Sequence, residues 1–72
     1  MIVYKIDVLA ALKNVGYSTY KLRKDKILGE ATIQAIRTGQ QVTWDKLSIL
    51  CHLLKCQPGD LLEFVDSNTQ ND

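Results

Sequence analysis

The stretch that decides the reading is residues 18–39, STYKLRKDKILGEATIQAIRTG. It holds two short helical patterns in tandem. Ser18 opens the first, with a hydroxyl available to the unpaired amides of a first helical turn. Tyr20 and Leu22 supply its apolar contacts, and Lys21, Arg23, Lys24 and Lys26 make its wet face. The pattern breaks at ILGE (27–30), where Ile27 and Leu28 are too apolar for a free loop and are expected to plug inward. Gly29 then serves as the N-cap of a second helix, with Ile33 and Ile36 toward the core and Thr32 or Ala35 at its margin. Glu30, Ala31, Gln34 and Arg37 remain outside, and Gly39 ends the helix. Isolated helices under about 12 residues are marginal in water. The pair must therefore be held by the rest of the chain.

Outward from this pair, the pattern stays helical. The opening MIVYKI alternates Ile2, Tyr4 and Ile6, a brief extended signal. A first helix is expected over about residues 5–14, with Ile6, Leu9, Ala10 and Lys13 on one side, Leu12 beside them and Gly16 at the stop. Thr43 caps a fourth helix, Asp45 sits favourably in its first turn, and Leu47, Leu50, Cys51 and Leu54 form an amphipathic stripe. Trp44 is expected to pack over the junction of the third and fourth helices, with contact to a second copy or to a partner's backbone as the alternative, and Tyr17 and Tyr20 to lie in the core or at its rim. Pro58 suits the first position of a fifth helix, in which Leu61, Leu62, Phe64 and Val65 complete the core. The expected fold is all-α, five short helices in one domain over residues 1–66. The polar DSNTQND end supplies no apolar anchor, so 67–72 reads as a flexible tail.

Composition narrows the function classes. The chain has 72 residues, 46% of them hydrophobic, and a formal charge of +1. That charge is unevenly spread. Over residues 18–46 six cations face three anions, a balance of +3, whereas Lys55 alone faces Asp60, Glu63, Asp66 and Asp72 beyond, a balance of −3. Such segregation points to one anion-facing surface. No signal sequence opens the chain, and its apolar runs fall short of the roughly 20 residues a membrane span needs. The expectation is a soluble, cytoplasmic protein with no membrane partner. Cys51 and Cys56 are expected to be buried, reduced thiols on different faces of the fourth helix, and with His52 they match no zinc spacing. No metal, cofactor or catalytic residue is expected. The chain shows neither a Ser/His/Asp or Cys/His arrangement nor a phosphate-cradling glycine loop, so it does not read as an enzyme.

Residues 18–39 resemble the helix-turn-helix of the Cro/phage-repressor (Xre) family of bacterial transcriptional regulators, on Ser18-Thr19, Leu22, Thr32-Ile33 and Gly39. VTWDKLSILCHLLKC (42–56) resembles the family's next helix, and CQPGDLLEFV (56–65) the closing motif of its small members. The likeness implies a lambda-repressor-like domain and a partner, double-stranded DNA. It implies that the third helix enters the major groove and the second crosses the backbone. Base-reading positions then fall on Glu30, Ala31, Gln34 and Ala35, with Thr32 beside them. Thr19 falls on the phosphate clamp, Lys21, Lys24 and Lys26 add charge, and Thr38, Gln40 and Gln41 occupy the backbone-touching loop. The likeness also implies a repressor and a homodimer on DNA, built on the fifth helix or on MIVYK. The competing reading is an antitoxin-like or adaptor module of the same fold that binds protein. Two positions depart from the family pattern: Arg23 replaces an Ala, and Ile27 replaces the Gly of the turn. The departures point to a longer second helix or a wider turn.

Overall fold

The computed structural model describes residues 1–66; the tail expected over 67–72 lies outside them. The elements in order are β1 (Ile2–Tyr4), α1 (Val8–Asn14), α2 (Thr19–Lys24), α3 (Glu30–Arg37), α4 (Trp44–Leu54), α5 (Pro58–Leu61) and β2 (Leu62–Phe64). Among the described residues five helices are present as expected, with a small antiparallel ribbon of two strands beside them.

Local chemistry sets the helix starts. Asp7 Oδ1, Ser18 Oγ and Thr43 Oγ1 each accept from the backbone amide three residues on, at 3.1, 3.2 and 3.3 Å. Each satisfies one otherwise unpaired amide, an arrangement worth about 1 kcal/mol. Pro58 stands first in α5, and the Gln57 amide donates to Asp60 Oδ2 at 2.9 Å, one arm of a capping box. Helix ends are equally uniform. After α1, α2, α3 and α4 one residue takes a left-handed conformation: Gly16 (φ +96°), Lys26 (+58°), Gly39 (+79°) and Lys55 (+53°). The following amide then returns to a carbonyl of the last turn: Tyr17 to Leu12, Ile27 to Leu22, Gln40 to Ala35 and Cys56 to Cys51. This is the Schellman closure. It is strain-free at the two glycines, while a side chain there costs on the order of 1 kcal/mol.

The core takes residues from every helix. Val8 and Leu12 come from α1, Leu22 from α2, Ile33 and Ile36 from α3, Leu47 and Leu50 from α4, and Leu61 from α5. Leu28 is buried from the α2–α3 turn, with Ile27 half-buried beside this cluster, as the apolar character of the turn required. Helix α1 packs on both α3 and α4. Because α3 presents Ile33 and Ile36 inward, its opposite side faces solvent. Among the described residues no polar or charged side chain is buried.

Several expectations need correction. Helix α1 begins at Val8, not near residue 5, because the Lys5 amide is engaged with the Leu61 carbonyl at 2.8 Å and Asp7 caps the helix. The start shifts the buried side to Val8 and Leu12, leaving Ile6, Ala10 and Lys13 exposed. Beyond Leu61 the chain is extended rather than helical. β2 pairs with β1 in the register Ile2↔Phe64, Val3↔Glu63, Tyr4↔Leu62. Paired residues share a face and successive residues alternate, so Ile2, Tyr4, Leu62 and Phe64 lie on one side. Tyr4 and Leu62 reach the core; Ile2, Phe64 and Val65 are exposed. Trp44 does not seal the α3–α4 junction: as the first helical residue of α4 it only borders the groove there and is 83% exposed. Tyr20 is likewise exposed, while Tyr17 packs at the rim. Cys51 and Cys56 are half-buried rather than buried. They do not occupy different faces of α4, because the helix ends at Leu54 and Lys55 reverses the chain, returning the Cys56 amide to the Cys51 carbonyl at 3.0 Å.

Candidate nucleic-acid interface

Helices α2 and α3 are joined by residues 25–29, and this joint fixes their relative placement. Arg23 and Ile27 neither lengthen α2 nor require glycine at position 27. The helix ends at Lys24, and the left-handed residue is Lys26, which leaves Ile27 with ordinary geometry and a half-buried side chain. The Lys26 amide donates to Arg23 at 3.1 Å, and the Ile27 and Leu28 amides both return to Leu22, at 2.9 and 3.3 Å. Buried Leu22 and Leu28 thus anchor both sides of a compact turn.

On α3 the outward residues are Glu30, Ala31, Gln34 and Arg37, all exposed; Thr32 and Ala35 are half-buried on its flank. The flank borders an open groove of about 740 Å³, also lined by Gln41, Thr43, Trp44 and Lys46. Thr19 lies elsewhere. At the start of α2 it is half-buried and lines a second hollow, of about 590 Å³, together with Ser18, Arg37 and Gly39. The sequence-derived positions therefore split into an α3–α4 groove, the exposed crest of α3, and the N-terminal end of α2. Thr38, Gln40 and Gln41 are exposed after α3. The Thr38 hydroxyl donates back to the Gln34 carbonyl at 2.8 Å, and the Gln40 carbonyl accepts from the Tyr4 hydroxyl at 2.8 Å. The latter bond ties the loop after α3 to the ribbon. Burial raises the Tyr4 pKa, keeping this donor protonated.

Charge on this surface is partly internal. Lys21 Nζ lies 3.0 Å from Asp25 Oδ2, one helical turn on, and that hydrogen bond and attraction raise the lysine pKa. Lys24 Nζ sits 5.8 Å from the centre of the Tyr20 ring, within cation–π range. Arg23 Nε reaches Glu30 Oε1 at 3.3 Å, and Glu30 Oε2 accepts from Gln34 Nε2 at 3.0 Å. Sequence reasoning marks Arg23 only as a departure from the family pattern; its pairing across the turn to Glu30 depends on the joint and has no local signal. Thr43 and half-buried Lys46 were also missed as groove residues, because their placement follows from how α4 leaves the loop.

The surface thus offers an exposed helix crest with hydrogen-bonding groups, small side chains on its flank, and cations around it. That combination suits base edges and phosphates. Among the described residues no group of three or more His, Cys, Asp or Glu is disposed to hold a metal ion. No helix among the described residues is long and apolar enough to cross a membrane. No curated protein and no solved structure matches the chain. The family model for the Cro/C1-type HTH DNA-binding domain matches residues 5–67, which take in all five helices, and the chain belongs to that family of DNA-binding regulators.

Proposed function

We propose that the chain is a cytoplasmic bacterial transcriptional repressor that binds double-stranded DNA sequence-specifically, with α3 in the major groove. The observation that carries this reading is the two-sidedness of α3: Ile33 and Ile36 are locked in the core while Glu30, Ala31 and Gln34 stand clear. A helix so held can enter a groove about 12 Å wide without rearrangement. In this reading Gln34 pairs with an adenine, Glu30 accepts from a cytosine amino group, and Ala31 and Ala35 meet thymine methyls, with Thr32 beside them. Thr19 and the amides at the start of α2 meet a phosphate. Lys21 and Lys24 add electrostatic attraction, Lys21 less because Asp25 offsets it. Thr38, Gln40 and Gln41 border the backbone beyond.

A single domain of this size reads few base pairs, so the repressor acts as a homodimer on two half-sites about one helical turn apart. Exposed Ile2, Trp44 and Phe64 supply apolar surface for a second copy. Ile2 and Trp44 line the same groove as Ala31 and Ala35, so a partner there would lie alongside the reading helix.

The test is binding to one selected and one scrambled duplex at several salt concentrations. Lys24→Ala should weaken both duplexes alike and reduce the salt slope by about 0.9, the share of one neutralised phosphate. Gln34→Ala should leave the slope unchanged and lose about 1–3 kcal/mol on the selected site alone. Equal weakening of both duplexes by Gln34→Ala would remove α3 as the reader. No DNA binding by the parent protein at low salt would favour the adaptor reading.

A further inference from the structure

We infer that Arg23 is a specificity-determining positioning residue: through Glu30 it sets the side-chain amide of Gln34 in the orientation that reads adenine. The inference rests on α3 being the reading helix. Its starting point is the chain Arg23 Nε–Glu30 Oε1 at 3.3 Å and Gln34 Nε2–Glu30 Oε2 at 3.0 Å, which joins the end of α2 to the crest of α3.

An ionised carboxylate only accepts hydrogen bonds. Gln34 must therefore turn its nitrogen, not its oxygen, toward Glu30. The oxygen and the second N–H are left facing outward as one acceptor beside one donor. Adenine presents the complementary pair in the major groove, the N7 acceptor and the N6 amino donor. A free glutamine amide presents both orientations; this one is held in one. Arg23 does the holding at one remove. Its guanidinium fixes the far oxygen of Glu30 and offsets the carboxylate charge that would otherwise face the phosphates. Glu30 and Gln34 are one turn apart on α3, so they meet by helix geometry alone. Arg23 comes from the other helix and meets Glu30 because the turn closes at Lys26.

Positioning differs from direct contact in a way that a double-mutant cycle reads. Binding is measured to a selected duplex and to the same duplex with its critical A·T pair replaced by G·C. Arg23→Ala should cut discrimination between them about tenfold, within the range of one bidentate base contact. In a Glu30→Gln background the same change should alter discrimination less than twofold, because the relay is already broken. Arg23→Lys should restore only part, since ammonium lacks the planar fork. In the free protein, the Gln34 side-chain amide resonances should shift in both Arg23→Ala and Glu30→Gln. If Arg23→Ala weakens both duplexes equally, and does so also with Gln at position 30, Arg23 touches phosphate and the inference falls. It falls equally if the Gln34 resonances do not move, a result independent of any DNA. A parent protein that binds no duplex overturns the reading role of α3 itself, which the unmoved or moved resonances distinguish from a failure of the relay.

Discussion

Leu50→Ala tests the arrangement that holds α3 in place. Leu50 is fully buried at the middle of α4, within a core to which every helix contributes. Truncation removes three carbon centres from an apolar site at about 0.8 kcal/mol each, or roughly 2.4 kcal/mol before any cavity is counted. A cavity term raises this to about 3–4 kcal/mol, inside the range of about 2.7–5.0 kcal/mol found for buried leucines. The whole domain, at about 0.05–0.15 kcal/mol per residue, has only about 4–11 kcal/mol to lose. Urea titration followed by far-ultraviolet circular dichroism is the assay. With a slope near 1 kcal/mol per molar, the midpoint should fall by about 3 M. Ile33→Val, a milder change at another fully buried position, should cost about 0.5–1.5 kcal/mol and keep the protein folded for comparison. Trp44→Ala should stay within about 0.5 kcal/mol of the parent, since its ring is exposed. An unchanged midpoint for Leu50→Ala, or a Trp44→Ala midpoint as low as that of Leu50→Ala, would refute the packing described.

Gly39→Ala should destabilise by about 1–2 kcal/mol in the same titration, because the space around it is open but its φ of +79° disfavours a side chain. Gly29→Ser should stabilise by about 0.5–1 kcal/mol: Gly29 lies at an ordinary φ with open space, and α3 has no side-chain cap. Cys51→Ala should cost about 1 kcal/mol through a small cavity, whereas Cys56→Ser should change little near neutral pH. Burial, with Cys51 and Asp60 nearby, pushes the Cys56 thiol above its ordinary 9.0. The folded state then keeps a proton the unfolded state releases, so this contribution is intact below about 9 and lost as pH rises through the folded value. The alkaline fall in stability should be shallower in Cys56→Ser.

What was legible in the sequence is what local chemistry writes there. Ser18 and Thr43 start helices because a hydroxyl meets an amide three residues on, and Gly16 and Gly39 end them because glycine accepts a positive φ. The inward residues of α3 and the plug at Ile27 and Leu28 follow from apolar spacing. Lys26 and Lys55 were not legible as helix terminators, since lysine carries no turn signature and the backbone, not the side chain, dictates the closure. Phe64 reads as core in the sequence and is exposed in the fold, because its strand partner, Ile2, stands some sixty residues away. Of the candidate site, the exposed crest of α3 was legible and the Arg23–Glu30 link was not, because it joins two helices through a turn whose geometry only the fold supplies.

The ribbon has a bearing on the order in which the molecule assembles. Helices α1 to α4 gather their core from residues close along the chain, whereas β1 and β2 must bring together segments from opposite ends. Closing so long a loop costs entropy that grows with the logarithm of its length. Pairing should therefore come after the helical nucleus, once the packed helices have already shortened the gap. Three residues per strand add little cooperativity, and the strand amides should exchange hydrogen through a local opening at lower free energy than those of α4. Such an opening frees Tyr4 from Gln40, and so loosens the loop behind α3 while the four-helix nucleus stays folded. The seam between the chain ends is thereby a soft latch on the reading helix, able to yield without unfolding the domain.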